Sequence, residues 1–310
     1  MYNDSVLCYQ GHFYPKEDGE VIHVLADLHC HTKLSDGSMG IEDIINLAKK
    51  RGVTALSITD YDCMAGNIRA KIIGERHGIT LVHGVEISSS DSETGEEVSI
   101  LCYMSDFPDR LEGLCHRNLI ARKKAAQYMM LKASQRFPIT PDFILKCAQG
   151  STNVYPSHIM SALVESGLDM TICGNLYQKL FGKSAGSISV RPKFEDSVSV
   201  LEAIHEAGGI AVLANPGKYS SYGIMEKLVK AGLDGIEVWN PGNNEEQTQY
   251  LAAYAKKKKL LATGGSGFKG RFNTECVSVG SYSTPEKQFN DLMSYKARQK
   301  RKKKAAAEAE

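Results

Sequence analysis

The strongest constraint on the fold is a regular alternation of short apolar runs with segments of helical periodicity. The apolar run at 21–28 is followed by apolar residues at helical spacing between 41 and 51. A second apolar run at 53–59 and a second helical segment at 67–77 repeat the pattern, and each helical segment ends at a glycine. Strands that alternate with glycine-terminated helices predict parallel βαβ units.

The alternation stops near residue 106 and resumes near residue 190. Four segments of helical spacing lie between these points, and we interpret this stretch as a mostly helical insertion. At least seven strands are predicted outside it, which is enough to close a barrel rather than form an open sheet. We therefore divide the chain into a first part of the barrel (1–105), the helical insertion (106–190), a second part of the barrel (191–284) and a helical end with a basic tail (285–310).

The charge is unevenly distributed. The net charge is +1, but the last fifteen residues hold seven Lys or Arg and two Glu, a net of +5, so the rest of the chain carries about −4. A slightly acidic body makes nucleic acid an unexpected main partner and argues against binding to a membrane surface. We interpret the basic tail as a solvated helix end.

The cysteine pattern bears on the compartment. None of the eight cysteines forms a C-x-x-C pair. In a chain of this length without a signal peptide, we expect reduced thiols and a cytoplasmic location. No apolar stretch reaches the ~18 residues that a membrane span needs.

A candidate metal site follows the first predicted strand. Asp27, His29 and His31 alternate along an extended segment, so their side chains should point to the same side. Two imidazoles that project together at a strand end can hold one borderline metal ion, and a nearby carboxylate adds an oxygen ligand. Asp36 follows five residues later in an S-D-G segment.

The third predicted strand (79–88) ends in the segment G-V-E-I-S, which contains Glu86. A desolvated carboxylate at the end of an apolar strand needs a cation. We therefore expect Glu86 to complete the site that His29 and His31 begin.

Taken together, several segments resemble the motifs of the polymerase and histidinol phosphatase (PHP) family. In order, they are DLHCHTKLSDG, LSITDYD, HGVEIS, VSILCY, AVLANPG, GIEVWNP and TGGSGFKG, and they extend from about 26 to 275. The resemblance implies a distorted (β/α)7 barrel. It also implies up to three divalent ions (Mn, Fe, Zn or Mg) and the hydrolysis of phosphate esters of small molecules or nucleotides.

The match to the family's metal ligands is partial. His29, His31, Asp36 and Glu86 stand where family ligands stand, which is four of the nine expected. The other five positions carry residues of a different type: Tyr61, Ser99, Asn215, Gly267 and Lys269. By this resemblance only the site of His29, His31 and Glu86 keeps enough ligands, so we expect at most one divalent ion.

The resemblance also names candidates for proton transfer and substrate binding. Asp36, Asp60 and His158 are the candidate catalytic residues, because Asp60 keeps the T-D-x-D frame and His158 lies near a segment that approaches phosphate in the family. Lys269 and His158 are the candidate contacts to the phosphate, since an ammonium can bind a phosphate oxygen as a point charge.

Two functions stay open. The chain is either a weakened metal-dependent phosphoesterase acting on a small phosphorylated molecule or nucleotide, or a catalytically inactive PHP-fold protein. In the second case it would bind a ligand or a partner chain, such as a second copy or an active paralogue. The intact H-x-H, S-D-G and G-V-E segments favour the first, and the substituted positions favour the second.

Overall fold

A computed structural model describes residues 14–15, 21–22, 24–182, 186–217, 222–274 and 276–307. The other residues of the predicted first part and tail lie outside these ranges.

The strands form three hydrogen-bonded sheets. They are β1 (Tyr14–Pro15), β2 (Val21–Ile22), β3 (Ala26–Cys30), β4 (Ala55–Ile58), β5 (Thr80–Leu81), β6 (Gly84–Ser90), β7 (Glu97–Tyr103), β8 (Ile210–Leu213), β9 (Gly235–Trp239) and β10 (Leu261–Gly264). One sheet has the order β10-β9-β8-β7-β6, a second has the order β3-β4-β5, and β1 pairs with β2.

The helices alternate with the strands at both ends of the chain. They are α1 (Ile41–Lys50), α2 (Asn67–His77), α3 (Asp109–Arg136), α4 (Pro141–Cys147), α5 (Pro156–Glu165), α6 (Asn175–Phe181), α7 (Ser197–Glu206), α8 (Tyr222–Lys230), α9 (Glu245–Lys258) and α10 (Glu286–Ala307). Gly78 ends α2 in the left-handed conformation (φ 72°), as the sequence predicts.

The prediction of an all-parallel sheet is wrong at β7. This strand runs antiparallel to both β6 and β8, whereas β8, β9 and β10 are parallel. Residues 91–96 join β6 to β7, and a connection this short cannot return the chain for a parallel pairing, which needs a crossover of a dozen or more residues.

The α/β class is confirmed, but closure into a (β/α)7 barrel is not. The two larger sheets remain separate, and single bridges link them at two seams. One bridge joins Cys30 to Phe268 and the other joins Tyr61 to Glu86. The sheets nevertheless share one apolar core, in which Leu28 of β3 lies in the same cluster as Leu101 of β7 and Val212 of β8.

The segment between β7 and α7 is helical where the structure describes it. It contains α3 to α6, and within 106–182 and 186–190 no strand is present. These helices have an apolar cluster of their own, which includes Met129, Ile144 and Ile159. That the segment is a separate insertion with bounds at 106 and 190 stays a prediction. Among the described residues, no helix combines the length and apolar composition that crossing a membrane requires.

Candidate metal centre

Three buried side chains converge between the two larger sheets. The Nε2 atoms of His29 and His31 lie 3.2 Å apart, and Glu86 Oε2 lies 3.0 Å from the first and 3.1 Å from the second. His29 lies in β3, His31 follows this strand, and Glu86 lies in β6. The structure therefore brings together the three residues that the sequence predicts as ligands.

The outer nitrogen of each imidazole faces an acceptor. His29 Nδ1 lies 2.8 Å from Glu237 Oε1, and His31 Nδ1 lies 3.2 Å from Asp36 Oδ1 and 3.3 Å from Ser35 Oγ. Glu237 accepts a hydrogen bond from His29 Nδ1. Ser35 Oγ gives its own proton to Asp60 and accepts from His31 Nδ1, so the proton of each neutral imidazole is assigned to Nδ1. Both Nε2 lone pairs then point at Glu86 Oε2, and three lone pairs about 3 Å apart need a positive charge between them.

The pKa values agree with a site for a cation. Burial opposes protonation of His29, but the carboxylates of Glu237 and Glu86 raise its pKa to about 10. Burial and the charge of Lys269 lower the pKa of His31 to about 4. In the metal-free protein His29 thus holds a proton that a metal ion would displace, because a ligand imidazole must be neutral at the coordinating nitrogen.

The donor set fits a divalent ion. Two imidazole nitrogens and one carboxylate oxygen are the ligands that zinc and its first-row neighbours accept. Glu86 Oε1 is buried and has no hydrogen-bond partner among the described residues, so this carboxylate has a second oxygen available to a cation. No other group of three such ligands occurs in the described part of the chain.

An ammonium group lies beside this centre. Lys269 Nζ is 2.5 Å from Asp36 Oδ2 and 3.4 Å from the hydroxyl of Tyr61. Burial alone would raise the pKa of Asp36, but the charges of Lys269 and His31 lower it. Asp36, predicted as a ligand, therefore contacts the outer nitrogen of His31 and the lysine rather than the three-atom cluster.

A cavity of about 360 Å³ opens onto the cluster. His29, His31, Asp36 and Lys269 line it, and its other walls are mainly aromatic and amide side chains: Tyr61, Tyr155, Tyr177, Phe272, Asn215 and Asn273. Four positions with substituted ligand types line this same cavity: Tyr61, Asn215, Gly267 and Lys269. The backbone of Asn215 has φ 42° and that of Gly267 has φ 57°, both in the left-handed region.

Comparisons with known proteins agree with this geometry. The family model described as PHP domain matches residues 27–155. The chain is 32% identical over 251 residues to a phosphoribosyl 1,2-cyclic phosphate 1,2-diphosphodiesterase of Eggerthella lenta, covering 80% of this chain and 95% of the relative.

The chain belongs to the PHP family.

Other relatives are phosphoesterases as well. A 3′,5′-nucleoside bisphosphate phosphatase of Chromobacterium violaceum is 27% identical over 248 residues, which cover 78% of this chain and 86% of that protein. A solved structure from Bifidobacterium adolescentis, named as a candidate metal-dependent phosphoesterase, superposes with a TM-score of 0.77 at 29% identity. The superposition covers 86% of this chain and 94% of that one.

Asp60 lies outside the cluster of this PHP protein. Both of its carboxylate oxygens accept hydrogen bonds from the loop after β3: from Thr32 N (2.7 Å), Thr32 Oγ (2.7 Å) and Ser35 Oγ (2.5 Å). Burial raises its pKa to about 6. In this arrangement Asp60 holds the loop that carries His31, and it does not line the cavity.

His158 is also placed away from the cluster. Its Nδ1 accepts a hydrogen bond from Tyr155 N at the start of α5, and its ring packs edge-on against Phe272. Burial lowers its pKa to about 4. Phe272 lines the cavity and His158 does not, so the structure does not bring this predicted phosphate contact to the site.

Two residues of the site were missed by the sequence reasoning. Glu237 is fully buried in β9, and the signal that pointed to Glu86, a carboxylate in an apolar strand, was present in G-I-E-V-W. Arg122 of α3 pairs with Asp62 at 3.2 Å and stacks on the rings of Tyr61 and Tyr155. No sequence signal distinguishes Arg122 from the other cations of this long helix.

The raised pKa of Asp60 predicts a pH-dependent stability. Between the ordinary pKa of 3.8 and about 6 the folded chain holds a proton that the unfolded chain releases, so this stabilisation is present at low pH and lost as pH rises through 6. The free energy of unfolding of the native chain, relative to Asp60→Asn, should therefore fall by on the order of 2–3 kcal/mol between pH 4 and pH 7. Urea titrations of both proteins measure this difference. A constant difference across that range would contradict it, and Asp142→Asn, which alters an exposed aspartate, is the control.

Glu237 should support metal binding without touching the metal. Glu237→Gln removes the charge that orients His29, and loss of such a partner typically weakens metal affinity by about 10–100-fold. Competition with a zinc-binding dye measures this affinity. Glu226→Gln removes an exposed carboxylate that pairs with Lys258, and it should leave the affinity unchanged. An unchanged affinity in Glu237→Gln would assign this glutamate a role in folding alone.

Proposed function

We propose that this PHP-family chain binds one divalent ion (Mn, Fe, Zn or Mg) through His29, His31 and Glu86 and hydrolyses a small phosphate ester or nucleotide. The observation that carries this proposal is the convergence of three buried lone pairs within 3.0–3.2 Å at the floor of the cavity. An ion held there would polarise a phosphoryl oxygen as a Lewis acid.

The other polar residues of the cavity would bind and orient the ester. Lys269 donates from its ammonium to a phosphoryl oxygen, and Asp36 holds that ammonium in place through the 2.5 Å contact. The amide of Asn215 lines the same cavity as a further donor. Asp36, ionised beside Lys269, would accept a proton from the attacking water and pass it to the departing alcohol. Asp60 and His158 are occupied by other contacts.

The chemistry of the relatives supports the substrate class. The relatives in Eggerthella lenta and Chromobacterium violaceum are named for a cyclic phosphate and a nucleoside bisphosphate. Both are small phosphorylated molecules, and a cavity of about 360 Å³ has the size of a small-molecule site. We assign the same class to this chain.

We also propose a distorted barrel fold with a helical insertion and a cytoplasmic location. The bridges at Cys30–Phe268 and Tyr61–Glu86 support a distorted seven-stranded barrel, in which β3, β4 and β6 to β10 surround the site. The separate apolar cluster of α3 to α6 supports a helical insertion at 106–190. The seven cysteines in the described ranges form no disulfide, which agrees with a cytoplasmic protein.

One observation favours the second candidate function, an inactive PHP protein that binds a ligand or a partner chain. Lys269 places its ammonium in the cavity, 2.5 Å from Asp36, which stands where the family has a ligand. A fixed ammonium at that position repels a further cation. The metal content and the turnover of the protein separate the two functions.

Metal content should depend on His31 and hardly on Asn215. We expect at most one tightly held ion per chain by elemental analysis of the purified protein. His31→Ala removes one of three ligands and should abolish binding, whereas Asn215→Ala should barely change it. Two or three well-occupied ions in the native protein would contradict the assignment.

Phosphatase activity should be weak and should increase when the family pattern is restored. Each ~1.4 kcal/mol of lost transition-state stabilisation lowers the rate tenfold. A variant with Tyr61→His, Asn215→His, Gly267→Asp and Lys269→His should hold more metal and turn over a generic phosphate monoester faster. His and Asp tolerate the left-handed backbone at 215 and 267 better than most residues. Fast metal-dependent hydrolysis of the monoester by the native protein would contradict this prediction.

A further inference from the structure

We propose that the cavity selects singly charged phosphate diesters over doubly charged monoesters, and that Asp36 sets this preference. The inference rests on the proposed function, because it takes the cavity as the phosphate site. It adds the charge class of the substrate and the residue that determines it.

The charges on the cavity wall balance one another. With a metal ion in place of the His29 proton, Lys269 carries the one side-chain cation and Asp36 the one carboxylate among the described residues that line the cavity. The two charges are 2.5 Å apart and cancel. The ammonium therefore gives a phosphate a hydrogen-bond donor without giving the cavity a net positive charge.

The floor of the cavity adds no surplus of positive charge. Beneath the wall, Glu86 faces the cluster and Glu237 faces the outer nitrogen of His29, and both carboxylates are fully buried. Two negative charges balance one divalent ion. With the ion in place, the centre and the wall together are close to neutral.

A neutral cavity discriminates between the two ester classes. The hydration free energy of an ion grows with the square of its charge. A dianion therefore loses about four times as much hydration free energy as a monoanion when it leaves water. A doubly charged monoester needs a surplus of positive charge to offset this loss. A diester, with one charge shared by two free oxygens, needs only hydrogen-bond donors.

Such donors are present on the wall. The Tyr61 hydroxyl lies 3.4 Å from Lys269 Nζ, and the side chain of Asn215 lines the same cavity. The aromatic rings of Tyr155, Tyr177 and Phe272 offer apolar surface to ester substituents.

The same charge balance acts on the product. When water adds to the phosphorus of a diester and one ester P–O bond breaks, the alcohol leaves with a proton and the phosphate becomes a monoester. That monoester ionises to a dianion near neutral pH, with a second pKa of about 6. The cavity would then release the monoester rather than remove its remaining substituent.

The test compares two ligands that differ by one methyl group and one charge. Binding of methyl phenyl phosphate (a monoanion) and phenyl phosphate (a dianion) is measured by calorimetry at pH 8, with zinc-loaded and with metal-free protein. We expect the diester to bind at least about tenfold more tightly, which corresponds to about 1.4 kcal/mol. Asp36→Asn should increase the affinity for phenyl phosphate by about tenfold or more and change the affinity for the diester much less. Lys269→Gln should lower the affinity for both ligands.

A matched control separates local from overall charge. Asp106 pairs with Lys296 at 2.8 Å on the surface, so Asp106→Asn changes the net charge by the same amount and should leave the ratio of the two affinities unchanged. Failure of both ligands to bind would overturn the proposed function and this inference with it. Binding of both with equal strength, or of the monoester more tightly, would overturn this inference alone. An unchanged ratio in Asp36→Asn would remove the role of Asp36.

Discussion

The buried carboxylate of Glu86 is the constraint on which the site depends. Its side chain is fully buried in β6, one of its oxygens meets two imidazole nitrogens, and the other has no partner among the described residues. A carboxylate taken out of water is costly unless positive charge compensates it. His29 in β3, His31 after it and the carboxylate of Glu237 behind His29 create a place where a proton or a metal ion is required. The two sheets meet at this place, so the chemistry and the packing of the two sheets depend on one another.

The ion pair of Lys269 and Asp36 distinguishes this site from a cluster of metal ions. A metal ion brings a charge of two and several open positions, whereas an ammonium brings one charge and three donors on a flexible stem. At 2.5 Å from its carboxylate, this ammonium is already neutralised. The centre therefore has the hydrogen-bonding capacity of a phosphate site with little of the usual electrostatic attraction.

The sequence was sufficient for the parts that follow local rules. The placement of His29 and His31 on one side follows from strand periodicity, and the burial of Glu86 follows from its place in an apolar strand. The structure brings these three side chains together. The hydrogen bonds of Asp60 with Thr32 and the packing of His158 against Phe272 could not be predicted, because they join segments distant in sequence. The direction of β7 was predictable, since a short polar stretch at 91–96 between two apolar runs is typical of a hairpin. The burial of Glu237 could be inferred by the same reasoning as that of Glu86, but its contact with His29 depends on the register between strands far apart in the chain.

Arg122 of α3 connects the helical segment to the cavity wall without contacting a candidate metal ligand. Its guanidinium stacks on Tyr61 and Tyr155, which form part of the cavity wall, and it pairs with Asp62 in the loop after β4. The segment from α3 to α6 has its own apolar cluster and can therefore diverge in sequence with little disturbance of the strands. Substitutions that shift these helices would move the rings of Tyr61 and Tyr155 through their contact with Arg122. His29, His31 and Glu86 would stay in place. Substitutions in these helices would therefore change the wall that meets the substrate without displacing the three-atom cluster beneath it.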